Sequence, residues 1–459
     1  MRDFLVRPAR GPLRGVVRVP SDKSIGHRAV ILAALAEGTS TLSRFSFGED
    51  NVSTLRCFAA MGVRHEILEG ESAKGGVVRI HGAGLFGLSR APEGVALDCG
   101  NSGTTMRLLC GLLSAQPFGT TLIGDESLSR RPMRRVLEPL RARGALCKGK
   151  AFVSGKGKDD EHAPIVIAPL IDGETLGECA IALPVASAQV KSALLLSGLY
   201  AHGATVVEEP TLSRDHTERM LARAGVPIEA MGAVVRLDPA GWDGRIEPFE
   251  LAIPGDASAA AFIIVAANLV PGSVVRIVDV GTNPTRTGAL DVLRTMGGGA
   301  EIVPKGERGG EPIGTLETGA ADHLVAAQIG GELVPRAIDE IPILCVAAAC
   351  ARGTTVIRDA AELRVKESDR LATMATVLRA FGVEARELPD GLEIVGRPDG
   401  KLKAAVVDSK GDHRIAMSAA ILALRADGES RITDVDNVAT SFPGFGRVLR
   451  DLGATLEEV

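Results

Sequence analysis

Two basic residues and one acidic residue lie close together in the segment Arg364–Arg370, at Lys366, Arg370 and Glu367. A carboxylate can take up and return a proton, and cations beside it can bind an anionic substrate. The apolar residues in and after this segment recur at helical spacing, which predicts one helix from Arg364 to Phe381. Within that helix Lys366 and Arg370 would lie one turn apart, where like charges repel unless an anion binds to both. The segment is therefore a candidate anion site with its own acid, although a solvated helix start with a Glu367–Arg370 ion pair has the same pattern.

Further polar residues precede apolar, Ala- and Leu-rich segments at six places. A helix N-terminus exposes free N–H groups and a partial positive charge, so each place is suited to an anion. Ser, Asp, Asn and Gly are also ordinary capping residues, so any one of these starts by itself favours plain capping. Lys23, Arg28 and Arg414 differ, because a cation at this end opposes the helix dipole and needs another reason to be there. The six segments are Ser21–Ser24 with Arg28, Gly100–Thr105, Ala186–Gln189, Gly255–Ser258, Asp339–Pro342 and Asp412–Arg414.

A long internal repeat positions these helix starts. In each copy an apolar helix ends at a polar residue plus Gly and is followed by a β-branched strand, and a second helix then ends at another Gly before further strands. Six helix–strand–helix–strand units predict two α/β domains of three repeats each rather than a solenoid. The first glycines of the six copies are Gly38, Gly119, Gly203, Gly272, Gly353 and Gly428, which are 81, 84, 69, 81 and 75 residues apart.

The boundary between the two domains is expected near Glu250–Pro254, after the third repeat. A strand predicted over Phe4–Val19 would complete the second domain, because no repeat follows the sixth. The predicted domains are residues 21–252 and residues 1–20 plus 253–459, joined by a two-strand hinge.

The composition argues against several classes of function. Of 459 residues, 45% are hydrophobic and 3% aromatic, and the net charge is −5. Scarce aromatic residues argue against a base-stacking nucleic-acid platform, and the acidic balance argues against steering toward nucleic acid or an anionic membrane. The seven cysteines form no CxxC pair and the eight histidines no HExxH motif, which favours reduced cytosolic thiols and indicates no metal cofactor. No apolar run suits a signal peptide or a membrane span, so we expect a cytoplasmic protein.

The segment His81–Gly87 matches the GxGxxG pattern of dinucleotide-binding proteins and follows a predicted strand. That fingerprint requires a helix immediately afterwards, whereas Pro92 and Gly94 interrupt the following residues. No GxxxxGK[ST] loop occurs in the chain. We therefore expect neither dinucleotide binding nor nucleotide hydrolysis.

Six motifs of the chain carry a family resemblance. They are Pro20-Ser-Asp-Lys-Ser-Ile-Gly-His-Arg28, Gly100-Asn-Ser-Gly-Thr-Thr-Met-Arg107, Arg130-Arg-Pro-Met133, Ala186-Ser-Ala-Gln-Val-Lys191, Arg364-Val-Lys-Glu-Ser-Asp-Arg370 and Gly411-Asp-His-Arg414. Together, and in this order, they resemble those of the 5-enolpyruvylshikimate-3-phosphate synthase family, with a class II-like sequence. This resemblance implies two inside-out α/β domains, each of three βαβαββ repeats, with a cleft that closes on substrate. It also implies transfer of the enolpyruvyl (carboxyvinyl) group of phosphoenolpyruvate to the 5-hydroxyl of shikimate 3-phosphate in aromatic amino acid biosynthesis, without a cofactor.

Position by position, the resemblance implies two sets of substrate-binding residues. Shikimate 3-phosphate would be held by Lys23, Ser24, Arg28, Ser187, Ala188 through its backbone, Gln189, Asp339 and Lys366. Phosphoenolpyruvate would be held by Lys23, Gly103, Arg131, Gln189, Arg370 and Arg414.

Carboxyvinyl transfer needs one base, one acid and a cationic cradle, which these residues could supply. We expect Asp339 to be the base for the sugar 5-hydroxyl and Glu367 the acid that protonates C3 and then takes the proton back. Lys23 would neutralise charge in the tetrahedral intermediate. No metal is needed, since arginines can fork onto carboxylate and phosphate groups.

Three positions place the chain in the sequence class that includes glyphosate-tolerant members of the family. Ser127 replaces a basic residue, Ala188 a second Ser, and Thr440 a Lys. Gly103 departs from the tolerant pattern, which has Ala there. A missing methyl leaves room beside the phosphoenolpyruvate site, so we expect ordinary glyphosate sensitivity.

Two alternatives remain. The related enolpyruvyl transferase that acts on UDP-N-acetylglucosamine shares the fold but carries a Cys in a mobile loop, and the matching segment Gly124–Pro132 has none. A non-catalytic anion-binding protein would tolerate loss of Asp339 or Glu367, yet both carboxylates stand beside the cations. We expect an enzyme with two small-molecule substrates, acting as a monomer, with no nucleic-acid or membrane partner.

Overall fold

The computed structural model describes residues 2–70, 75–153, 159–171, 174–398 and 402–459. The chain divides into two compact units. The first unit is Ser21–Ile253 with Arg308–Glu311, and the second is Met1–Pro20, Pro254–Glu307 and Pro312–Val459. Relative to the predicted domains, Ile253 and the four residues Arg308–Glu311 fall in the first unit rather than the second. Arg308–Glu311 contributes a buried contact there, between Glu311 Oε1 and His216 Nδ1 at 2.7 Å.

Helices account for the long apolar segments of the sequence. Short 3-10 turns occupy Leu128–Arg130, Ala361–Val365 and Asp436–Thr440. The α-helices of the described residues are Lys23–Leu35 (α1), Glu49–Ala60 (α2), Gly103–Leu113 (α3), Arg134–Ala142 (α4), Ala188–Gly198 (α5), His216–Arg223 (α6), Ala257–Leu269 (α7), Gly288–Thr295 (α8), Leu333–Ala337 (α9), Ile341–Ala349 (α10), Arg370–Ala380 (α11), His413–Ala423 (α12) and Phe445–Asp451 (α13).

Short strands lie between the helices. They are Phe4–Val6 (β1), Arg14–Val17 (β2), Glu37–Phe45 (β3), Arg64–Glu69 (β4), Gly76–Ala83 (β5), Leu97–Asp98 (β6), Thr120–Ile123 (β7), Leu146–Val153 (β8), Asp159–Ala168 (β9), Cys179–Ala182 (β10), Thr205–Glu208 (β11), Ile228–Met231 (β12), Val234–Leu237 (β13), Glu250–Ala252 (β14), Val274–Gly281 (β15), Ala300–Arg308 (β16), Glu311–Gly319 (β17), Gln328–Ile329 (β18), Thr354–Ile357 (β19), Glu384–Leu388 (β20), Gly391–Val395 (β21), Val406–Asp408 (β22), Ser430–Thr433 (β23) and Leu456–Glu458 (β24).

The described strands form six four-stranded sheets with a common pattern. In the sheet of order β6-β7-β9-β8, the first pair is parallel and the other neighbours are antiparallel. A parallel pair needs a crossover, which α3 provides, and α4 then leads to the hairpin of β8 and β9. The predicted βαβαββ repeat is therefore present. The other sheets are β14-β3-β5-β4 and β10-β11-β13-β12 in the first unit, and β16-β17-β15-β2, β18-β19-β21-β20 and β22-β23-β1-β24 in the second.

The N-terminal segment forms two strands, so the prediction of one strand over Phe4–Val19 is wrong. β1 pairs antiparallel with β23 and β24, whereas β2 pairs parallel with β15. Pro8, Gly11 and Pro12 lie between them. Proline has no N–H to donate to a sheet and Gly weakens a strand, so pairing is interrupted here. The two pieces supply one strand each to two sheets of the second unit.

The first helix of each repeat is buried, as its all-round apolar sequence predicts. In α10 every residue from Ile341 to Ala349 is buried, and in α12 every residue from His413 to Ala423. Such helices present only their ends for chemistry. In the ranges that the structure covers, none of the helices combines the length and apolar character needed to cross a membrane.

Side chains cap five of the six buried helices at the N-terminus, and their hydrogen-bond acceptors come from the segments singled out in the sequence. The exception is α10, where Glu340 at the N-cap position makes no capping bond and Pro342 lies in the first turn. The caps are Asp22, Ser102, Ser187, Asp256 and Asp412.

The predicted helix from Arg364 to Phe381 begins later than expected. A 3-10 turn covers Ala361–Val365, residues 366–369 are not helical, and α11 starts at Arg370. Asp369 is the reason, because its Oδ1 accepts from the Ala372 N–H at 3.1 Å and so fixes the helix start. The inference that Lys366 and Arg370 lie one turn apart on a helix is therefore wrong. The Glu367–Arg370 ion pair, which belonged to the alternative interpretation of a solvated helix start, does form.

Candidate active site

In the first unit, the start of α1 carries Lys23. Asp22 caps the helix by accepting from the Ile25 N–H at 2.9 Å, which fixes the direction of the first turn. Lys23 Nζ lies 2.8 Å from Asp50 Oδ2, and both side chains are largely buried. This carboxylate compensates a cation that would otherwise be unfavourable at a helix N-terminus.

Arg28 lies one turn further into α1 and is 5% exposed. Its Nε donates to Thr217 Oγ1 at 2.6 Å, its Nη2 to Ser192 Oγ at 2.7 Å, and its Nη1 to the Ser24 carbonyl at 2.9 Å. Burial lowers the pKa of Arg28 to about 10, and Glu218 opposes that effect. The guanidinium therefore keeps its charge at neutral pH and is fixed in orientation from three sides.

The start of α5 holds Ser187, Ala188 and Gln189. Ser187 is the N-cap, and its backbone N–H donates to Glu209 Oε1 at 2.9 Å. Gln189 donates from Nε2 to Thr104 Oγ1 at 3.0 Å and accepts at Oε1 from Arg107 Nη1 at 2.9 Å. The Gln189 amide is thereby tied to α3.

Gly103 begins α3 between two guanidinium groups. A Cβ added at this position would lie 2.6 Å from Arg107 Nη1 and 3.2 Å from Arg131 Nη1. Arg131 is held in turn by Asn101, whose Oδ1 accepts from Nη2 at 2.6 Å. The glycine thus permits an approach of two cations that a methyl group would disturb.

In the second unit, the side chain of Arg370 is 1% exposed and bonded to two carboxylates. Its Nε and Nη2 lie 2.8 Å and 3.2 Å from the two Asp412 oxygens, and Nη2 donates to Glu367 Oε2 at 2.7 Å. Asp339 Oδ1 lies 3.7 Å from Nη1. Burial alone would lower the pKa of Arg370, but the carboxylates, Asp412 first, outweigh it and raise the pKa.

Arg414 lies beside the same Asp339. Its Nη1 donates to the Asp339 carbonyl at 2.7 Å, and its Nη2 is 3.9 Å from Asp339 Oδ2. Glu340 Oε1 lies 3.8 Å from Arg414 Nη1. One carboxyl group, that of Asp339, thus lies within ion-pair distance of two arginines, and one of these also binds Glu367.

Comparison with known proteins identifies the family of the chain. The sequence model of the family EPSP synthase (3-phosphoshikimate 1-carboxyvinyltransferase) matches residues 8–449. The chain belongs to this family. It is 50% identical over 444 residues to the 3-phosphoshikimate 1-carboxyvinyltransferase of Geobacter sulfurreducens, covering 96% of this chain and 97% of that protein. It is also 50% identical over 454 residues to the one of Alkalilimnicola ehrlichii, covering 99% and 96%.

A solved structure of EPSP synthase from Acinetobacter baumannii has the same fold, with a TM-score of 0.84 and 40% identity over 100% of both chains. The α/β fold of βαβαββ repeats and the enzyme class predicted from the sequence are thereby confirmed. So is the activity, enolpyruvyl transfer from phosphoenolpyruvate to shikimate 3-phosphate.

Within each unit, the structure brings together most of the residues predicted for an EPSP synthase site. In the second unit Asp339, Glu367, Arg370 and Arg414 form one cluster. Lys366 does not share the predicted helix face, and its Nζ binds Glu362 Oε1 at 3.1 Å. In the first unit the members are grouped at three helix starts, α1, α3 and α5.

Sequence reasoning missed several residues that bind the predicted site residues. Asp412 and Glu340 stand next to predicted site residues, but only as helix-start residues without a role. Asp50, Arg107 and Glu209 were not singled out for any role. A usable signal exists only for Asp412, since a buried arginine requires a nearby carboxylate and Asp412 belongs to the motif of Arg414.

Proposed function

We propose that Asp339 and Glu367 carry out the proton transfers of the enolpyruvyl transfer, and that the arginines beside them bind phosphoenolpyruvate. The observation that supports this assignment is the Asp339–Arg370–Glu367 arrangement. Both carboxylates lie within ion-pair distance of one buried guanidinium, at 3.7 Å and 2.7 Å. An acid, a base and a fixed cation therefore meet in one place, as the reaction requires.

In the first step the 5-hydroxyl oxygen of shikimate 3-phosphate bonds to C2 of phosphoenolpyruvate. Asp339 takes the hydroxyl proton, and Glu367 gives a proton to C3, so that the methylene becomes a methyl group. In the second step Glu367 takes a proton back from that methyl group. The C2=C3 double bond re-forms and the bond to phosphate breaks, releasing inorganic phosphate. Asp339 passes the hydroxyl proton to the departing phosphate, so both carboxyl groups return to their starting protonation states. No electrons are exchanged with a cofactor.

Substrate binding is divided between two sets of residues. For phosphoenolpyruvate we propose Lys23, Gly103, Arg131, Gln189, Arg370 and Arg414. For shikimate 3-phosphate we propose Lys23, Ser24, Arg28, Ser187, Ala188, Gln189, Asp339 and Lys366. Guanidinium groups that are already fixed by neighbours lose little freedom when they fork onto a carboxylate or phosphate. Arg28 and Arg370, each with several fixed bonds, fit that requirement.

We also propose that the enzyme acts as a cytoplasmic monomer. The proposed residues all come from one chain, so a second copy is not needed to supply any of them. The seven cysteines are free, and six of them are buried, which suits a reducing compartment.

The activity is tested by measuring phosphate release from phosphoenolpyruvate with either shikimate 3-phosphate or UDP-N-acetylglucosamine as acceptor, and by recording the product mass. Release only with shikimate 3-phosphate, together with a carboxyvinyl mass gain, is the expected result. Phosphate release only with the nucleotide sugar would overturn the assignment of shikimate 3-phosphate as the acceptor. Binding of phosphate esters without release would favour an anion receptor.

A further inference from the structure

A fully buried ionic group lies behind the proposed shikimate 3-phosphate residues of the first unit. Lys191 is 0% exposed, and its Nζ lies 2.6 Å from Glu209 Oε2 and 2.8 Å from Glu218 Oε1. Burial alone would lower the pKa of Lys191, but Glu218 and Glu209 outweigh it and raise the pKa. The lysine is therefore charged and clamped between two carboxylates from different elements.

Glu209 connects this group to the start of α5. Its Oε1 accepts from the backbone N–H of Ser187 at 2.9 Å, and its Oε2 accepts from Lys191 and from Ser213, whose Oγ lies at 2.9 Å. The two carboxylate oxygens of Glu209 therefore bind different partners. One fixes the turn that carries Ser187, Ala188 and Gln189, and the other is fixed by the buried lysine.

Glu218 connects the same group to the residues that hold Arg28. Lys191 is followed in α5 by Ser192, and Glu218 is preceded in α6 by Thr217. The hydroxyls of Ser192 and Thr217 lie 2.6 Å apart, and both accept from the Arg28 guanidinium. The Lys191–Glu218 ion pair therefore joins α5 and α6 at the residues adjacent to the two anchors of Arg28.

Stability alone does not explain why charges are used here. Burying ions is costly, and apolar residues of similar volume often hold elements together as well or better. An apolar trio could not, however, accept the Ser187 N–H with a charged oxygen. Such charge-assisted bonds are short and directional, which suits a turn whose backbone must be placed precisely.

We propose that Lys191, Glu209 and Glu218 are positioning residues for shikimate 3-phosphate, acting through the Ser187 turn and through Arg28. This inference rests on the proposed assignment of Ser187, Ala188 and Arg28 to that substrate. It implies that disturbing the group weakens binding of shikimate 3-phosphate more than binding of phosphoenolpyruvate. Gln189, which we assign to both substrates, is held separately by Thr104 and Arg107 of α3.

The test is Glu209→Gln in the full-length enzyme. An amide has one oxygen, so it can serve either the Ser187 N–H or Lys191 with Ser213, but not both. We expect the KM for shikimate 3-phosphate to rise about tenfold, since a hydrogen bond to a charged group is lost. The KM for phosphoenolpyruvate and kcat should change by less than about threefold. Ser213→Ala, which removes one bond to Glu209, should shift the same KM in the same direction by a smaller factor.

Asp3→Asn is the matched control in the second unit. Asp3 is also a buried carboxylate between an arginine and a backbone N–H, with Oδ2 2.6 Å from Arg431 and Oδ1 3.3 Å from the Asp434 nitrogen. The Asp3→Asn substitution should lower the melting temperature of the enzyme without a selective effect on the KM for either substrate.

The positioning role would be overturned if Glu209→Gln raised the KM values for both substrates by the same factor. It would also be overturned if that factor only followed the loss of stability, as we expect for Asp3→Asn. If Glu209→Gln does not fold, an unchanged KM for shikimate 3-phosphate in Ser213→Ala would overturn it instead. Wild-type enzyme that releases no phosphate with shikimate 3-phosphate would remove the proposed function itself, which is a different result.

Discussion

Arg370 and Asp412 form a two-point ion pair in the interior of the second unit, with Nε and Nη2 lying 2.8 Å and 3.2 Å from the two carboxylate oxygens. The side chains are 1% and 0% exposed. Asp412 also caps α12 through the Arg414 N–H at 3.0 Å. One carboxylate therefore fixes the guanidinium of Arg370 and the backbone at Arg414, two of the three arginines that we assign to phosphoenolpyruvate.

Asp412→Asn should reduce stability by about 3–5 kcal/mol, because it leaves a buried guanidinium without its main partner. The KM for phosphoenolpyruvate should rise as well. Urea unfolding and steady-state kinetics measure the two effects. Asp436→Asn, which breaks the exposed Arg2–Asp436 pair at 2.8 Å, should cost at most about 1 kcal/mol. Equal losses of unfolding free energy in the two variants would show that burial of the Arg370–Asp412 pair does not increase its contribution to stability.

Glu367→Gln should bind both substrates but lose turnover. The amide can still accept from Arg370 Nη2, which now binds Glu367 Oε2 at 2.7 Å, but it cannot donate and retrieve a proton. We expect kcat to fall by roughly 10²–10⁴ with the KM values changed only a few-fold. Glu393→Gln, at the exposed Arg386–Glu393 pair, is the control and should be fully active. A Glu367→Gln enzyme with normal kcat would exclude Glu367 as the acid.

Gly103→Ala should raise the KM for phosphoenolpyruvate. The new methyl would stand 2.6 Å from Arg107 Nη1 and 3.2 Å from Arg131 Nη1, so at least one guanidinium must move. Overpacking of this kind costs about 1–3 kcal/mol, which corresponds to a KM increase of about fivefold to 150-fold if the whole cost falls on binding. Gly11→Ala, where nothing lies within 4 Å of the added carbon, is the control.

Wild-type enzyme, which has Gly103, should be inhibited by glyphosate near its KM for phosphoenolpyruvate, and Gly103→Ala should weaken that inhibition. An inhibition constant of the wild type far above this KM would contradict the prediction. So would a Gly103→Ala enzyme with unchanged values for both ligands.

His27 should make stability depend on pH. It is fully buried, its Nδ1 lies 2.7 Å from Thr54 Oγ1, and burial lowers its pKa from 6.5 to about 3. Between these two values the unfolded chain binds a proton that the folded chain does not, so the free energy of unfolding falls as the pH is lowered. This one group contributes at most about 1.4 kcal/mol per pH unit in that interval.

Urea unfolding of the wild type and of His27→Gln from pH 7 to pH 4 measures this contribution as the difference in slope. Other groups contribute to both slopes equally and therefore cancel. His202→Gln is the control because His202 is exposed, and its slope should equal that of the wild type. An identical slope in His27→Gln would show that folding does not lower the pKa of His27.

The sequence by itself determined the repeat architecture, the buried first helices and the family. These features are encoded locally: apolar runs without a polar face predict buried helices, and Gly after a polar residue marks a helix end. The family resemblance then predicted site residues, and the structure clusters several of them within one unit, including Asp339, Arg370 and Arg414.

Only the tertiary structure decided how those residues are held. The Asp369 cap moved the start of α11 to Arg370, and two prolines divided the first predicted strand between two sheets. The partners of buried charges, such as Glu209 for Lys191, lie on other elements. No local pattern encodes such a pairing, because a buried ion is stabilised by whichever opposite charge the packed fold brings within about 3 Å of it.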